Sequence, residues 1–471
     1  MVATAVALAI VIQNQVSLRA APKDSAPQQA TLWQGELLEI RGQSLDYLQV
    51  YDHRRERGGY VRARDLHPLG MKAEDAPELL AVIRFLKDTP GAESLGIGLT
   101  SAYFKAAPAS ALTVEPFELL GEFAGRLAER ASGKQPSKGA EITIAAQLDV
   151  AAEYGVRMLS YEREGAVTIC YDGDMFRRVL GNPSASADAA ARAALGLTRS
   201  ACVDPSLSPA GRYDFDRWRM QVLDTVQFAG VDGGLRARLH VRRAEVEAAL
   251  AFEVSRRGEV PAPFAVRALD DLAAVEKSQL SDGELQAYTE AAVRVGVSRW
   301  AAVTVTTTAT GHGLGVRVRP GEPGQSCVLL VDDKHGEDAA LARRCTYGTV
   351  WDASVRVSPA GTAVALAVQP LEGWRELWVF RRDSGGWSVT PLPPSSDGTG
   401  VGYLEFAGWV PGGERMLAAR ETIVNGAFRR RFEIMNLQSL TPEVQVGSPG
   451  LSSVFVRWQD RDWREHSVAL R

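Results

Sequence analysis

The sequence predicts a multidomain α+β chain with a β-rich start, a mainly helical middle and an all-β end. Three observations predict it. Short apolar runs alternate with polar residues over positions 1–68, and apolar residues recur at three- and four-residue spacing through 69–297. From 298 to 471 almost every apolar run is again short and bounded by Gly, Pro, Asp or Asn. A chain of 471 residues is also too long for one core, since single cores stop growing at about 250–300 residues. Three domains are therefore expected, 1–68, 69–297 and 298–471.

In the first region VSLRAAP (16–22), GELLEI (35–40), DYLQV (46–50) and GGYVRARDL (58–66) read as strands separated by tight turns. After His67 and Pro68 the period becomes helical, in PELLAVIRFLKD (77–88) and VEPFELLGEFAGRLAER (114–130). In the second of these Phe117, Leu120, Phe123, Ala124 and Leu127 share one apolar face. Pro77 and Pro116 sit where first-turn prolines are tolerated. The polar ASGKQPSKG (131–139) reads as an exposed linker, and the apolar runs flanking EREG (162–165) as an inserted β-hairpin. Helices return at 185–197, 215–228, 234–258 and 281–296, the last marked by Ser281 and Glu284 at capping-box spacing.

In the last region RRDSGGW (381–387) and VNGAF (424–428) predict hairpins, the second through an Asn-Gly turn whose twist suits them. An internal repeat is visible as well. SPAGTAVALA (358–367) and VPGGERMLAAR (410–420) share a Pro-x-Gly turn feeding an apolar strand, with Pro359 and Pro411 52 positions apart. Each is followed by a second strand, WRELWVF (374–380) and RRRFEIMNL (429–437).

Leu18, Arg19 and Pro22, then Gly35, Tyr47, Gly59, Tyr60, Val61 and Leu66, give the first region a pattern that resembles the bacterial SH3 domain. Two positions depart from it, Ala21 where that family has Gly and Tyr47 where it has Trp. The resemblance implies a small SH3-like β-barrel on a cell-envelope protein, contacting peptidoglycan or an envelope protein near Tyr47, Tyr51 and Tyr60, with Arg19 and Trp33 as neighbours. The C-terminal repeat resembles blades of TolB-like or WD-repeat β-propellers. Roughly 170 residues at about 40–50 per blade make three to four blades, fewer than most propellers need to close. An incomplete propeller and a β-sandwich both stay open.

The formal net charge of −4 offers no general field for nucleic acid, so no nucleic-acid partner is expected. Only eight of the 53 basic residues are lysine, which fits a high-GC coding bias better than a binding role. The run VATAVALAIVI (2–12) lacks a basic flank and is shorter than the roughly 20 residues that span a bilayer. It reads as mature sequence leading into the first strands, either after a removed signal peptide or as a remnant of one. No later segment is long and apolar enough to be transmembrane.

Cys170, Cys202, Cys327 and Cys345 form two sequence-local couples with no C-x-x-C metal spacing. Such an even set suits two disulfides in an oxidising compartment; four buried thiols in a cytosolic protein are the alternative. Pairing within each couple, Cys170 with Cys202 and Cys327 with Cys345, is expected because crossed pairs would join different domains.

Catalytic signals are sparse. The chain has no H-E-x-x-H, His-x-His, G-x-S-x-G or Ser-x-x-Lys motif, and its histidines, His53, His67, His240, His312, His335 and His466, are scattered. No metal site, cofactor or catalytic residue is expected. The acidic VDDKHGED (331–338) reads as a solvated loop, and Gly311-x-Gly313-x-Gly315 as a hairpin turn, since no helix follows it to hold a phosphate. Arg236, His240 and Arg243 form a helical strip that reads as a solvated face, with an anion site as the alternative. Arg429, Arg430 and Arg431 alternate faces along a strand, which argues against a single patch. The tryptophans of the last region, from Trp374 to Trp463, read mainly as core.

These signals favour a periplasmic or secreted, non-enzymatic binding or scaffold protein of the cell envelope. The alternatives are a cell-wall hydrolase whose site is assembled from distant residues, and a structural subunit of a larger complex.

Overall fold

Alternation at the start of the chain produces seven strands: β1 (Ala7–Val11), β2 (Val16–Arg19), β3 (Gln28–Leu32), β4 (Leu37–Ser44), β5 (Tyr47–Asp52), β6 (Arg57–Arg62) and β7 (Leu66–Leu69). The structure is a computed structural model and describes residues 7–163, 165–303, 313–396 and 400–466. The strands form one antiparallel sheet in the order β3-β2-β6-β5-β4-β1-β7. No pairing of β3 with β7 closes it into a barrel among the described residues. The opening apolar run thus contributes a central strand, β1, paired on one side with β4 and on the other with β7.

Side-chain alternation lets β1 serve two cores. Ala9 and Val11 join Val16, Leu18, Leu32, Leu38, Leu48, Val50, Val61 and Leu66 inside the curved sheet. Ile10, on the opposite face, packs among the helices that follow. Burying that one side chain is worth about 1.5–3 kcal/mol. A one-residue register slip would exchange the two sets, so β1 has little freedom to slide.

The helices are α1 (Ala76–Leu86), α2 (Glu93–Ala106), α3 (Glu115–Ser132) and α4 (Lys138–Glu153), then the hairpin β8 (Met158–Arg163) and β9 (Ala166–Tyr171), α5 (Asp174–Leu180) and α6 (Ala187–Leu197). The expected linker at 131–139 is a short connection between α3 and α4, ended by Ser137, whose hydroxyl accepts the Ala140 N–H as an N-cap. Helix α2 sits close to the sheet because Gly35, at φ +95°, turns the chain where a Cβ would lie 2.6 Å from the Ser94 carbonyl oxygen. Ser94 Oγ donates to the Gln34 carbonyl, and Tyr154 Oη to that of Gly35, at 2.9 and 2.7 Å.

Compactness divides the chain into two units, Met1–Leu207 with Val222–Val231, and Ser208–Gln221 with Asp232–Arg471. The helical stretch at 69–297 supplies both, and α7 (Pro209–Asp224) is shared between them. In the second unit α8 (Gly233–Arg256), α9 (Ala262–Ala273) and α10 (Asp282–Ser298) pack around Val241, Ala244, Ala248, Leu272, Tyr288 and Ala292. The expected capping box opens α10, Ser281 and Glu284 each satisfying the other's backbone N–H.

The strands that follow are β10 (Gly315–Pro320), β11 (Ser326–Val331), β12 (Ala342–Thr346), β13 (Thr349–Val357), β14 (Ala363–Leu371), β15 (Trp374–Asp383), β16 (Gly386–Leu392), β17 (Val401–Val410), β18 (Arg415–Val424), β19 (Ala427–Asn436) and β20 (Pro442–Val446), with short helices α11 (Ser453–Trp458) and α12 (Arg461–His466) at the end. The repeat seen in sequence is structural: β13–β16 and β17–β20 are both four-strand antiparallel meanders, joined by a short parallel pairing of β15 with β17. The Asn-Gly turn between β18 and β19 has φ 51° at Asn425 and 73° at Gly426, as a type I′ hairpin requires.

Apolar faces stack these sheets. Val316, Val328 and Leu330 pack on Val364, Leu366 and Phe380. Ala365, Leu377 and Val379 of the first meander meet Leu404, Phe406 and Met416 of the second, whose other face is covered by Phe455 and Trp463. Of the six tryptophans expected in the core, Trp374, Trp378 and Trp463 are buried, and Trp387, Trp409 and Trp458 are half-buried against it.

The structure holds both disulfides, Cys170–Cys202 and Cys327–Cys345, the second joining residues directly opposite each other on β11 and β12. Their separations of 32 and 18 residues each restrict the unfolded chain by about 3–4 kcal/mol. Replacing Cys170 and Cys202 together by Ser is expected to lower the unfolding free energy by about that amount in guanidinium titration. A loss below about 1 kcal/mol would show that the loop is already ordered without its crosslink.

Candidate functional site

On β5 and β6 the register pairs Tyr47 with Arg62, Gln49 with Tyr60 and Tyr51 with Gly58, while Leu48 and Val50 face the core. Tyr60 in turn pairs with Arg19 of β2, and Tyr51 with Glu39 of β4. Strand alternation therefore places Arg19, Tyr47, Tyr51, Tyr60 and Arg62 on one outer face. This face carries rings interleaved with guanidinium groups. Arg41, the bulge residue of β4, lies 3.8 Å over the Tyr51 ring, and His53 meets the same ring edge-on at 4.9 Å.

Four of the five residues singled out from the sequence share this face; Trp33 does not, since it follows β3 in the turn to β4. Tyr47 differs from the others in being 3% exposed. Its hydroxyl donates to Asp24 at 2.7 Å, and Arg62 clamps the same carboxylate and that of Asp46. The hydrogen bond from Tyr47, followed by that from Arg62, holds Asp24 below the usual carboxylate range, and the bond to Asp24 raises the Tyr47 phenol. Tyr47 is thus a support for the face, while Tyr51 and Tyr60 are half-buried and present part of their rings. Arg19 donates to the Ala26 carbonyl at 2.9 Å. At the end of this sheet Arg55 bridges Glu36 and Asp52, both buried, at 2.8 and 2.6 Å.

The other sequence candidates resolve into internal pairs. All four cysteines are consumed by disulfides, which removes the thiolate a cysteine peptidase needs. No group of three or more His, Cys, Asp or Glu side chains is placed to hold a metal among the described residues. In the acidic loop Asp332 accepts the N–H groups of Lys334 and His335, and Arg319 pairs with Glu337 and Asp338. Gly311 and His312 of the glycine run lie outside the described residues.

The helical strip is not a solvated face throughout. His240 and Arg243 of α8 reach Asp271 of α9 at 2.6 and 3.0 Å, and Glu247, fully buried beside them, lies 2.7 Å from Arg267. Burial, reinforced by the Asp271 charge, pushes the Glu247 carboxyl up to about 8. Asp271 is held low by His240 and Arg243 against the cost of its own burial.

A second concave surface was not foreseen as one patch. Arg429 and Arg431 do share a face of β19, as alternation requires, but β18 adds Arg420 directly opposite Arg431. Together they line a cleft of about 460 Å³. Arg430 points to the opposite face and pairs with Glu421 at 2.8 Å. The i, i+2 spacing in RRR was the available signal; the cross-strand partner was not readable without the hairpin register.

No family model, curated protein or solved structure matches this chain.

The α8–α9 cluster generates a pH prediction. Glu247 has its folded pKa raised above the unfolded value, so its contribution to stability is complete below about pH 4.5 and is lost as pH rises through about 8. Asp271, with its pKa lowered, changes only below this window. Glu247→Gln should therefore stabilise the second unit more at pH 8.5 than at pH 5, by about 2–4 °C in Tm for each kcal/mol recovered. An equal Tm difference at both pH values would contradict a protonated Glu247.

Proposed function

We propose that this chain is a non-enzymatic binding or scaffold protein of the bacterial cell envelope whose N-terminal sheet contacts peptidoglycan. The observation that carries the reading is the tyrosine–arginine face of β5 and β6. Half-exposed rings stack on sugar or peptide planes, and Arg19, whose Nη1 is held by the Ala26 carbonyl, can pair with a carboxylate of a peptide-bearing polymer. Arg62 and Arg41 are tied to Asp24, Asp46 and Glu39 and brace the rings. The resemblance of the first 67 residues to bacterial SH3 domains supports the same ligand. In this reading the two C-terminal meanders are blades of an incomplete propeller that serves as a protein-facing scaffold.

The disulfides support an exported location. The chain has two disulfides, which persist in oxidising compartments such as the periplasm. No helix among the described residues is long and apolar enough to cross a membrane.

The test is co-sedimentation of the oxidised full chain with purified sacculi. Pelleting should fall at least about fivefold in a Tyr51→Ala, Tyr60→Ala variant whose Tm is within a few degrees of the parent. Failure of the parent to pellet would remove peptidoglycan as the ligand. Pelleting unaffected by the two substitutions would place contact elsewhere.

A further inference from the structure

We propose that the arginine cleft of the second meander is a binding site for a phosphoryl group, separate from the tyrosine face and independent of the reading given above. Its floor is the outer face of β18, β19 and β20, and its wall is the segment from Pro393 to Ser396. Arg420 joins the two. Its Nε and Nη2 donate to Glu433 at 2.9 and 3.1 Å, and its Nη1 donates to the carbonyls of Pro393 and Pro394, each at 2.7 Å. The wall is therefore held against the floor by a charge-assisted fork before any ligand arrives.

The charge count decides what the cleft accepts. Its charged lining residues among the described residues are Arg420, Arg429, Arg431 and Glu433. Glu433, fully buried, is neutralised by the two-pronged contact with Arg420. That leaves Arg429 and Arg431 as cations that no carboxylate among the described residues compensates. Arg431 is steadied by Gln445 at 3.0 Å, and Arg429 has no hydrogen bond or ion pair with the described residues. Residues two apart on a strand are separated by about 6.5–7 Å, so both guanidinium forks can close on one tetrahedral anion.

Three arginines on one sheet face, two of them directly opposite each other, cost stability through like-charge repulsion. No carboxylate among the described lining residues offsets the second and third. An anion would remove that cost. Thr422, buried, and Asn425, exposed, add neutral donors to the lining, as a phosphoryl group with several acceptor oxygens requires. The volume is within the range of small-ligand clefts, about 300–1,000 Å³, which leaves room for a substituent beyond the phosphoryl group.

Isothermal titration of the full chain at constant ionic strength tests this, with inorganic phosphate, glycerol 3-phosphate and a glycerol phosphodiester as separate probes. Arg429→Gln with Arg431→Gln should weaken binding at least about tenfold, while Arg464→Gln, an exposed arginine on α12, should leave it unchanged. Both cleft residues are exposed, so the double variant should keep the parent's Tm within about 2 °C. Arginine-dependent binding of the phosphate and the monoester supports a free phosphate ligand, and binding of the diester supports a phosphodiester polymer or lipid headgroup. No binding of any probe, equal binding by the double variant, or equal displacement by chloride would overturn the proposal.

Discussion

Arg375 of β15 is fully buried, and the second unit is organised around what it holds. Its Nη1 donates to the carbonyls of Gly296 and Val297 at 2.7 and 3.1 Å, two of the acceptors left unpaired at the C-terminal end of α10. Its Nη2 lies 3.3 Å from Glu405 of β17, which also receives Arg299 Nε at 2.7 Å from the turn after that helix. Burial lowers the Arg375 pKa, yet the guanidinium keeps its proton at neutral pH. A charge so placed cannot be left alone, because unpaired burial costs several kcal/mol. The end of the helix, the last strand pair of the first meander and the first strand of the second must therefore form together. Tyr403 and Glu421 extend the network along β17 and β18, each pushed up in pKa by burial and held together by a hydrogen bond.

The N-terminal sheet solves a different problem, presenting one surface while supporting another. Its inner face is closed by aliphatic residues, and one end of its outer face is covered where Ile10 enters the helical core. The rest of that outer face carries tyrosine and arginine, with Tyr51 and Tyr60 half-buried. Charge pairs at its margins, Asp24 with Arg62 and Glu36 with Arg55, fix the loops so that the ring positions are preorganised. Preorganised, partly desolvated rings lose little entropy on contact, which is why the proposed ligand contact is set on this face.

Much of this was legible in the sequence, and the failures have physical causes. The one-sided apolar stripe of 114–130 and the capping box at Ser281 identified α3 and α10. Helix α2 was missed because it is buried nearly all round, so ESLGIGLTSAYFKA shows no polar face, and Gly96 and Gly98 are there for close packing against Phe123 and the sheet. The opening run read as leading into the first strands, and its residues Ala7–Val11 form β1. The repeat at Pro359 and Pro411 was visible, since turn chemistry is local, and so were the cysteine couples. Arg375 was not, as WRELWVF places it where an outward strand residue would sit, and its partners lie at Gly296 and Glu405. Tyr47 shows the same limit: the resemblance to the bacterial SH3 domain named it as a contact residue but said nothing of Asp24 and Arg62 closing over it.

The most direct test of the shared clamp is hydrogen–deuterium exchange in an Arg375→Met variant of the full chain. If Arg375 couples helix and sheet, amides at the C-terminal end of α10 and along β15 and β17 should lose protection together, by about a hundredfold, the equivalent of about 3 kcal/mol. Loss confined to β15, with α10 and β17 exchanging as in the parent, would contradict the account and show that helix and meanders fold independently of this residue.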